Sequence, residues 1–126
     1  DYAPPGVLAG AMRYHGVAPI VSSLYKEKYV EAVAHGQIES YSAGLMFTRS
    51  EGIVLSPHAM YTVKEVIEQA LCSKAKGTED TILFTVTPAV STESSPYDSL
   101  LDGVMHDEQP AEVSLKKSLG RFIGRG

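Results

Sequence analysis

Hydrophobic positions change their period several times along the chain, and each change marks a predicted element. Val17, Ile20, Val21, Leu24 and Tyr25 recur at spacings of three and four. Pro19 stands where a first helical turn tolerates it, and Lys26, Glu27 and Lys28 make a solvated end, so a helix is expected over 18–28. Val30, Glu31, Ala32, Val33, Ala34 and His35 form a short β-prone run closed by Gly36, which predicts a strand. Ile38, Tyr41, Ser42, Leu45, Met46 and Arg49 return to the helical period, and Gly52 follows the last turn of that second helix. The third helix has the strongest pattern. Ser56 can accept a hydrogen bond from its orphan amides and Pro57 pre-sets its first turn. Met60, Val63, Val66, Ile67, Ala70 and Leu71 then form an apolar stripe opposite Lys64, Glu65, Glu68 and Gln69, and Lys74, Lys76 and Gly77 close the helix.

Thr81, Ile82, Leu83, Phe84, Thr85 and Val86 are continuous and β-branched, as in a strand covered on both faces of a largely parallel sheet, and Pro88 ends the run. Residues 91–96 read as a polar loop, 97–104 as a short helix and 105–110 as irregular. Strands alternating with helices argue for an α/β fold. The opening segment, with Pro4, Pro5, Gly6, Gly10 and Gly16, reads as a long loop.

Composition narrows the function classes. The chain of 126 residues is 44% hydrophobic, enough for one domain with a real core. Its net charge of −4 argues against a broadly basic nucleic-acid surface. That charge divides into −7 over residues 1–110 and +3 over 111–126, so the last stretch is expected to be a separate, flexible basic tail. There Leu115, Leu119, Phe122 and Ile123 recur at helical spacing among Lys116, Lys117 and Arg121, and glycines at 120, 124 and 126 weaken any helix. The apolar runs are too short to span a membrane and the first residues do not read as a secretion signal, so a cytoplasmic protein is expected.

The residues alone anchor no chemistry. The four histidines, at 15, 35, 58 and 106, are scattered, read as loop or surface residues, and offer no His-Glu-x-x-His pair, so no metal site is expected. No Gly-x-Ser-x-Gly elbow or phosphate-cradling glycine loop occurs. Cys72, the single cysteine, lies beside Leu71 and reads as a buried or half-buried structural thiol.

Motifs go further. Ala9-Gly10-Ala11-Met12-Arg13-Tyr14-His15-Gly16-Val17-Ala18-Pro19 resembles the Ala-Gly-Gly-Leu-Arg-Tyr-His-Gly segment of the tryptophan synthase β chain family, in its second, stand-alone branch. Residues 38–49 followed by Glu51-Gly52-Ile53-Val54 resemble that family's helix and Thr-Glu-Gly-Ile-Ile turn. Thr81-Ile82-Leu83-Phe84 is similar to its last strand, and Tyr97-Asp98, Leu101, Gly103, Asp107 and Pro110 follow its closing pattern. The similarity runs over residues 1–110, the C-terminal portion of that fold.

The resemblance implies a partial fold-type II pyridoxal phosphate enzyme, a three-layer αβα arrangement on a short, largely parallel sheet. It implies part of a lyase that replaces the hydroxyl of L-serine with indole to give L-tryptophan. The family's Schiff-base lysine and phosphate loop lie upstream of the matched region, so this chain carries no catalytic residue of its own and is expected to be inactive alone. Its partner would be an N-terminal half or a complementary chain bearing the lysine, in a homo- or hetero-oligomer; nucleic acid and membrane are not implied. Gly10, Ala11, His58 and Thr87 take the cofactor-binding positions, and Arg13 takes the charged position that closes over substrate. Two departures stand out. The family's Ser-Gly-His-Gly is Thr87-Pro88-Ala89-Val90 here, and its Pro-Glu-Ser is Pro57-His58-Ala59, an imidazole where the family has a carboxylate. The alternative is a degenerate, non-catalytic partner or regulatory subunit of the same fold. Either way, a portion that shares its sheet and core with other segments is expected to expose apolar helix faces and strand edges when alone.

Overall fold

A computed structural model describes residues 6–9, 12–14, 16–89 and 95–108. The chain divides into two compact units, one of residues 1–32 with 108–126 and the other of residues 33–107.

In the first unit, α1 spans Pro19–Lys26 with Pro19 at its start, close to the helix read from the apolar spacing. None of its residues is buried. Val17, Ile20, Val21, Leu24 and Tyr25 are all exposed, Ile20 to 70%, so the apolar stripe that specifies the helix is left bare by the described residues. The Gly6 amide donates to Glu108 Oε2 at 2.6 Å, tying the two sequence-distant parts of this unit together.

The second unit is built on α2, Gln37–Glu51, packed against α3, Pro57–Lys76, with the short α4, Ser95–Leu101, beside α2. Both long helices end on a left-handed glycine: Gly52 has φ 72° and Gly77 has φ 68°. A Cβ at either would meet no atom within 4 Å, so backbone conformation and not space calls for glycine there.

The entry to α2 is held by carboxylates at its positive end. Glu39 Oε1 accepts the Gly36 amide at 2.7 Å and Asp107 Oδ1 accepts the Ile38 amide at 3.1 Å. Gln37 Nε2 adds a bond to the His106 carbonyl at 2.8 Å. Residues 105–107, read from sequence as irregular, are therefore the cover of the α2 N-terminus, and Met105 is buried in the core.

The buried face of α2 differs from the one its large apolar residues suggest. Gln37, Ser40, Tyr41, Ala43 and Gly44 face inward, whereas Ile38 is exposed and Met46 is 61% exposed. Small side chains let α2 approach α3, where Met60 and Val63 are buried. The core comprises Tyr41, Ala43, Leu55, Ala59, Met60, Val63 and Met105, with Phe47, Tyr61, Ile67, Phe84, Tyr97 and Leu100 at its margin. The stripe of α3 is thus used at its first half. Leu71 and Cys72 near its end are exposed, which corrects the reading of Cys72 as a buried thiol.

The two predicted strands do not form ladders. Residues 31–36 and 81–87 carry no regular secondary structure, and one antiparallel bridge, Leu55 with Pro88, is the sole β-pairing among the described residues. The short largely parallel sheet of the expected αβα arrangement is therefore absent from them. A β-run becomes a strand only where a second backbone lies alongside it, and here none does.

Candidate functional site

The bridge also joins the segments that carry two of the sequence-predicted site residues, Thr87 and His58. The Ser56 amide donates to the Thr87 carbonyl at 2.8 Å and the Ala89 amide to the Val54 carbonyl at 2.9 Å. Pro88 has no amide to offer, so the pairing uses its neighbours. The Leu55 carbonyl, on the same segment, accepts the Tyr97 hydroxyl. Tyr97 and Tyr61 both pack edge-on to the buried Tyr41, with ring centroids at 6.3 and 6.5 Å. An aromatic cluster therefore backs the bridge from within the core.

Ser56 opens α3 but does not cap it with its side chain. Its Oγ lies 3.2 Å from Nε2 of the half-buried His58 instead, and its carbonyl takes the Ala59 amide at 3.0 Å. This redirects the hydroxyl that the sequence pattern assigns to capping. Thr87 is exposed, and its main-chain carbonyl is the atom engaged in the bridge. The structure thus brings the Thr87 and His58 segments together through Ser56. Arg13 is exposed and belongs to the other unit, in a stretch turned by the Met12 amide on the Ala9 carbonyl at 2.9 Å. Gly10 and Ala11 lie outside the described residues.

Sequence reasoning missed a second cluster. His35, read as a loop or surface histidine, has a side chain only 14% exposed, with Nε2 at 2.8 Å from Glu65 and Nδ1 at 3.7 Å from Glu39. Hydrogen bonds from Gln69 and His35 hold the Glu65 carboxyl below its ordinary range. The Gly36 amide does the same for Glu39, aided by Lys64. The Lys64 ammonium bonds Glu68 and lies 3.4 Å from Glu39, which pushes its pKa up and holds it cationic. That is the reverse of what a nucleophilic amine requires. Lys64 with Glu68 and Glu65 with Gln69, each pair four apart, were the available signal, but nothing local in the sequence ties His35 to Glu65.

Tyr61 has a buried hydroxyl with no hydrogen-bond partner among the described residues. Burial, and secondarily the charge of Asp107, push its pKa up. No group of three or more His, Cys, Asp or Glu among the described residues is placed to hold a metal, and no described helix is long and apolar enough to cross a membrane.

Taken together, these features define a helix-rich unit that presents one antiparallel bridge, flanked by a hydroxyl and an imidazole, and an uncovered β-run leading into it. No family model matches the chain. Curated proteins do. It is 40% identical over 107 residues to tryptophan synthase beta chain 2 of Aquifex aeolicus, covering 85% of this chain and 25% of that one. It is 38% identical over 112 residues to the tryptophan synthase beta chain of Thermococcus onnurineus, and 36% identical over 115 residues to beta chain 2 of Pyrococcus abyssi. Those matches cover 89% and 91% of this chain, and 25% and 26% of the relatives. The chain is a relative of the tryptophan synthase β chains, fitting a C-terminal portion of that family. It spans about a quarter of the length of the curated relatives it matches.

Proposed function

We propose that residues 1–110 form part of a tryptophan synthase β-like lyase and supply one wall of its pyridoxal phosphate pocket, with 111–126 as a separate basic tail. The identity to the β chains, at 40% over 107 residues, carries this reading. The bridge supports it: Thr87, an exposed residue, and His58 stand on the two segments that the Ser56–Thr87 bond joins.

The donor set suits the cofactor. Bound there, pyridoxal phosphate supplies an electron sink for replacing the β-hydroxyl of an amino acid. The Thr87 hydroxyl would meet the pyridine nitrogen, and the His58 imidazole, oriented by Ser56 Oγ, would stand beside the ring. The resemblance adds Gly10 and Ala11 along the cofactor and Arg13 in substrate closure. The Schiff-base lysine would come from polypeptide corresponding to the rest of the relatives' length, in one chain or in an oligomeric complex, so the chain is inactive alone. Lys64, held cationic by Glu68 and Glu39, is no substitute. The compartment would be the cytoplasm.

Pro88 favours a second reading. A residue without an amide at the bridge, where the family has glycine, suits a partner that keeps the fold and has lost the cofactor. The complete assembly decides between them. The absorption band of lysine-bound pyridoxal phosphate, weakened or shifted by Thr87→Val, supports the lyase. A complete assembly with no such band is the degenerate partner.

A further inference from the structure

We infer that Ser56 is a positioning residue whose buried hydroxyl fixes the His58 imidazole as the tautomer with its hydrogen on Nδ1, so that the chain offers its ligand a hydrogen-bond donor at this place. What that donor does toward a cofactor rests on the reading above, whereas the tautomer is argued from the structure alone.

Ser56 is held through both of its main-chain groups. It is 1% exposed, its amide donates to the Thr87 carbonyl at 2.8 Å, and its carbonyl accepts the Ala59 amide at 3.0 Å. A serine that precedes a helix with ψ at 153° ordinarily uses its hydroxyl on an amide two or three residues on. Here the amide three residues on, that of Ala59, is taken by the Ser56 carbonyl, and no side-chain cap forms. Between the two residues stands Pro57, whose ring restricts the path from hydroxyl to imidazole. The hydroxyl is left 3.2 Å from His58 Nε2, which is its sole partner among the described residues.

Counting hydrogens then sets the tautomer. A serine hydroxyl has one hydrogen to give and lone pairs to receive another. Were Nε2 the protonated nitrogen, it would donate to Oγ and leave the buried serine hydrogen without an acceptor, which costs more than the bond returns. With Nε2 bare, the hydroxyl donates to it and neither atom goes unpaired. A neutral ring whose Nε2 accepts carries its hydrogen on Nδ1. His58 Nδ1 bonds no described residue and the side chain is half-buried, so this N–H is open to a ligand. A carboxylate at position 58 could only accept, whereas this imidazole donates. The group that fits beside it is an acceptor oxygen of the ligand, and an N–H donor is turned away.

Nuclear magnetic resonance on the chain with isotopically labelled histidine nitrogens tests this, at about pH 9, well above the ordinary imidazole range. The His58 signals, assigned by their loss in His58→Gln, should show a bare Nε2 and a protonated Nδ1. Ser56→Ala, which removes the hydroxyl, should lower the ratio of Nδ1–H to Nε2–H at least about tenfold with helicity unchanged. Ser56→Thr, which keeps a hydroxyl, should restore the parent ratio. A parent ring protonated at Nε2, or a ratio that Ser56→Ala leaves unchanged, overturns the inference. Should Ser56→Ala lose helicity, the parent spectrum decides. An Nδ1–H ring in a complete assembly that lacks the lysine–cofactor band upholds the inference and sinks the lyase reading, and the band together with an Nε2–H ring does the reverse.

Discussion

Gly44 of α2 lies directly against Met60 of α3. A Cβ placed on Gly44 would lie 2.5 Å from Met60 Cγ and 3.0 Å from both its Cβ and Sδ. Met60 is fully buried, and a Cβ and Cγ this near the backbone cannot swing clear as a distal methyl could. Gly44→Ala should therefore destabilise the chain. The helix-propensity gain of about 1 kcal/mol is outweighed by overpacking of about 1–3 kcal/mol. Urea denaturation should show a lower midpoint at unchanged slope, and an equal or higher midpoint would mean that Met60 repacks freely.

Tyr97→Phe should loosen the bridge. The Tyr97 hydroxyl donates to the Leu55 carbonyl, and Leu55 is buried. Leaving that acceptor without its donor should cost about 1–3 kcal/mol. The Ser56 and Ala89 amides should exchange faster in the variant, and unchanged exchange would show that the bridge stands without Tyr97.

Acid should unfold the chain through a small set of carboxylates. Glu65, held down by Gln69 and His35, Glu39, by the Gly36 amide, and Asp80, by Thr78 and Ser73, all titrate below their ordinary values of 4.5, 4.5 and 3.8. A folded value below the unfolded one makes the stabilisation complete above the unfolded value and removes it as pH falls through the folded one. Stability should thus begin to fall below about pH 4.5, with Glu65→Gln giving a shallower acid limb. An identical acid limb in that variant would remove Glu65 from the account.

Cys72 should react in the folded state. It lies exposed on α3, past the part of the helix that the core covers. A thiol reagent should modify it fully without denaturant, at a rate within about tenfold of the unfolded chain. Protection in the isolated chain would mean that self-association covers the end of α3.

The helices were legible because their signals are local. Pro19, the glycines at 52 and 77, and spacings of three and four place α1, α2 and α3 to within a few residues. The candidate site was half legible. Thr87 and His58 came from motif resemblance, but the turn of Ser56 Oγ toward His58, away from the helix amides, depends on how residues 87–89 lie against 54–56. The His35–Glu65 pair was not legible, since Glu65 lies 30 residues away, on α3.

By itself, the sequence determined where helices start and stop and where a backbone prefers β geometry, because capping, proline and side-chain branching act within a few residues. Tertiary structure alone decided that α2 buries its small residues rather than Ile38 and Met46, since the separation of two helices is a property of the pair. It also decided that 81–86 stays an unpaired run, because a strand's hydrogen bonds are made with a second backbone, and none lies alongside it among the described residues.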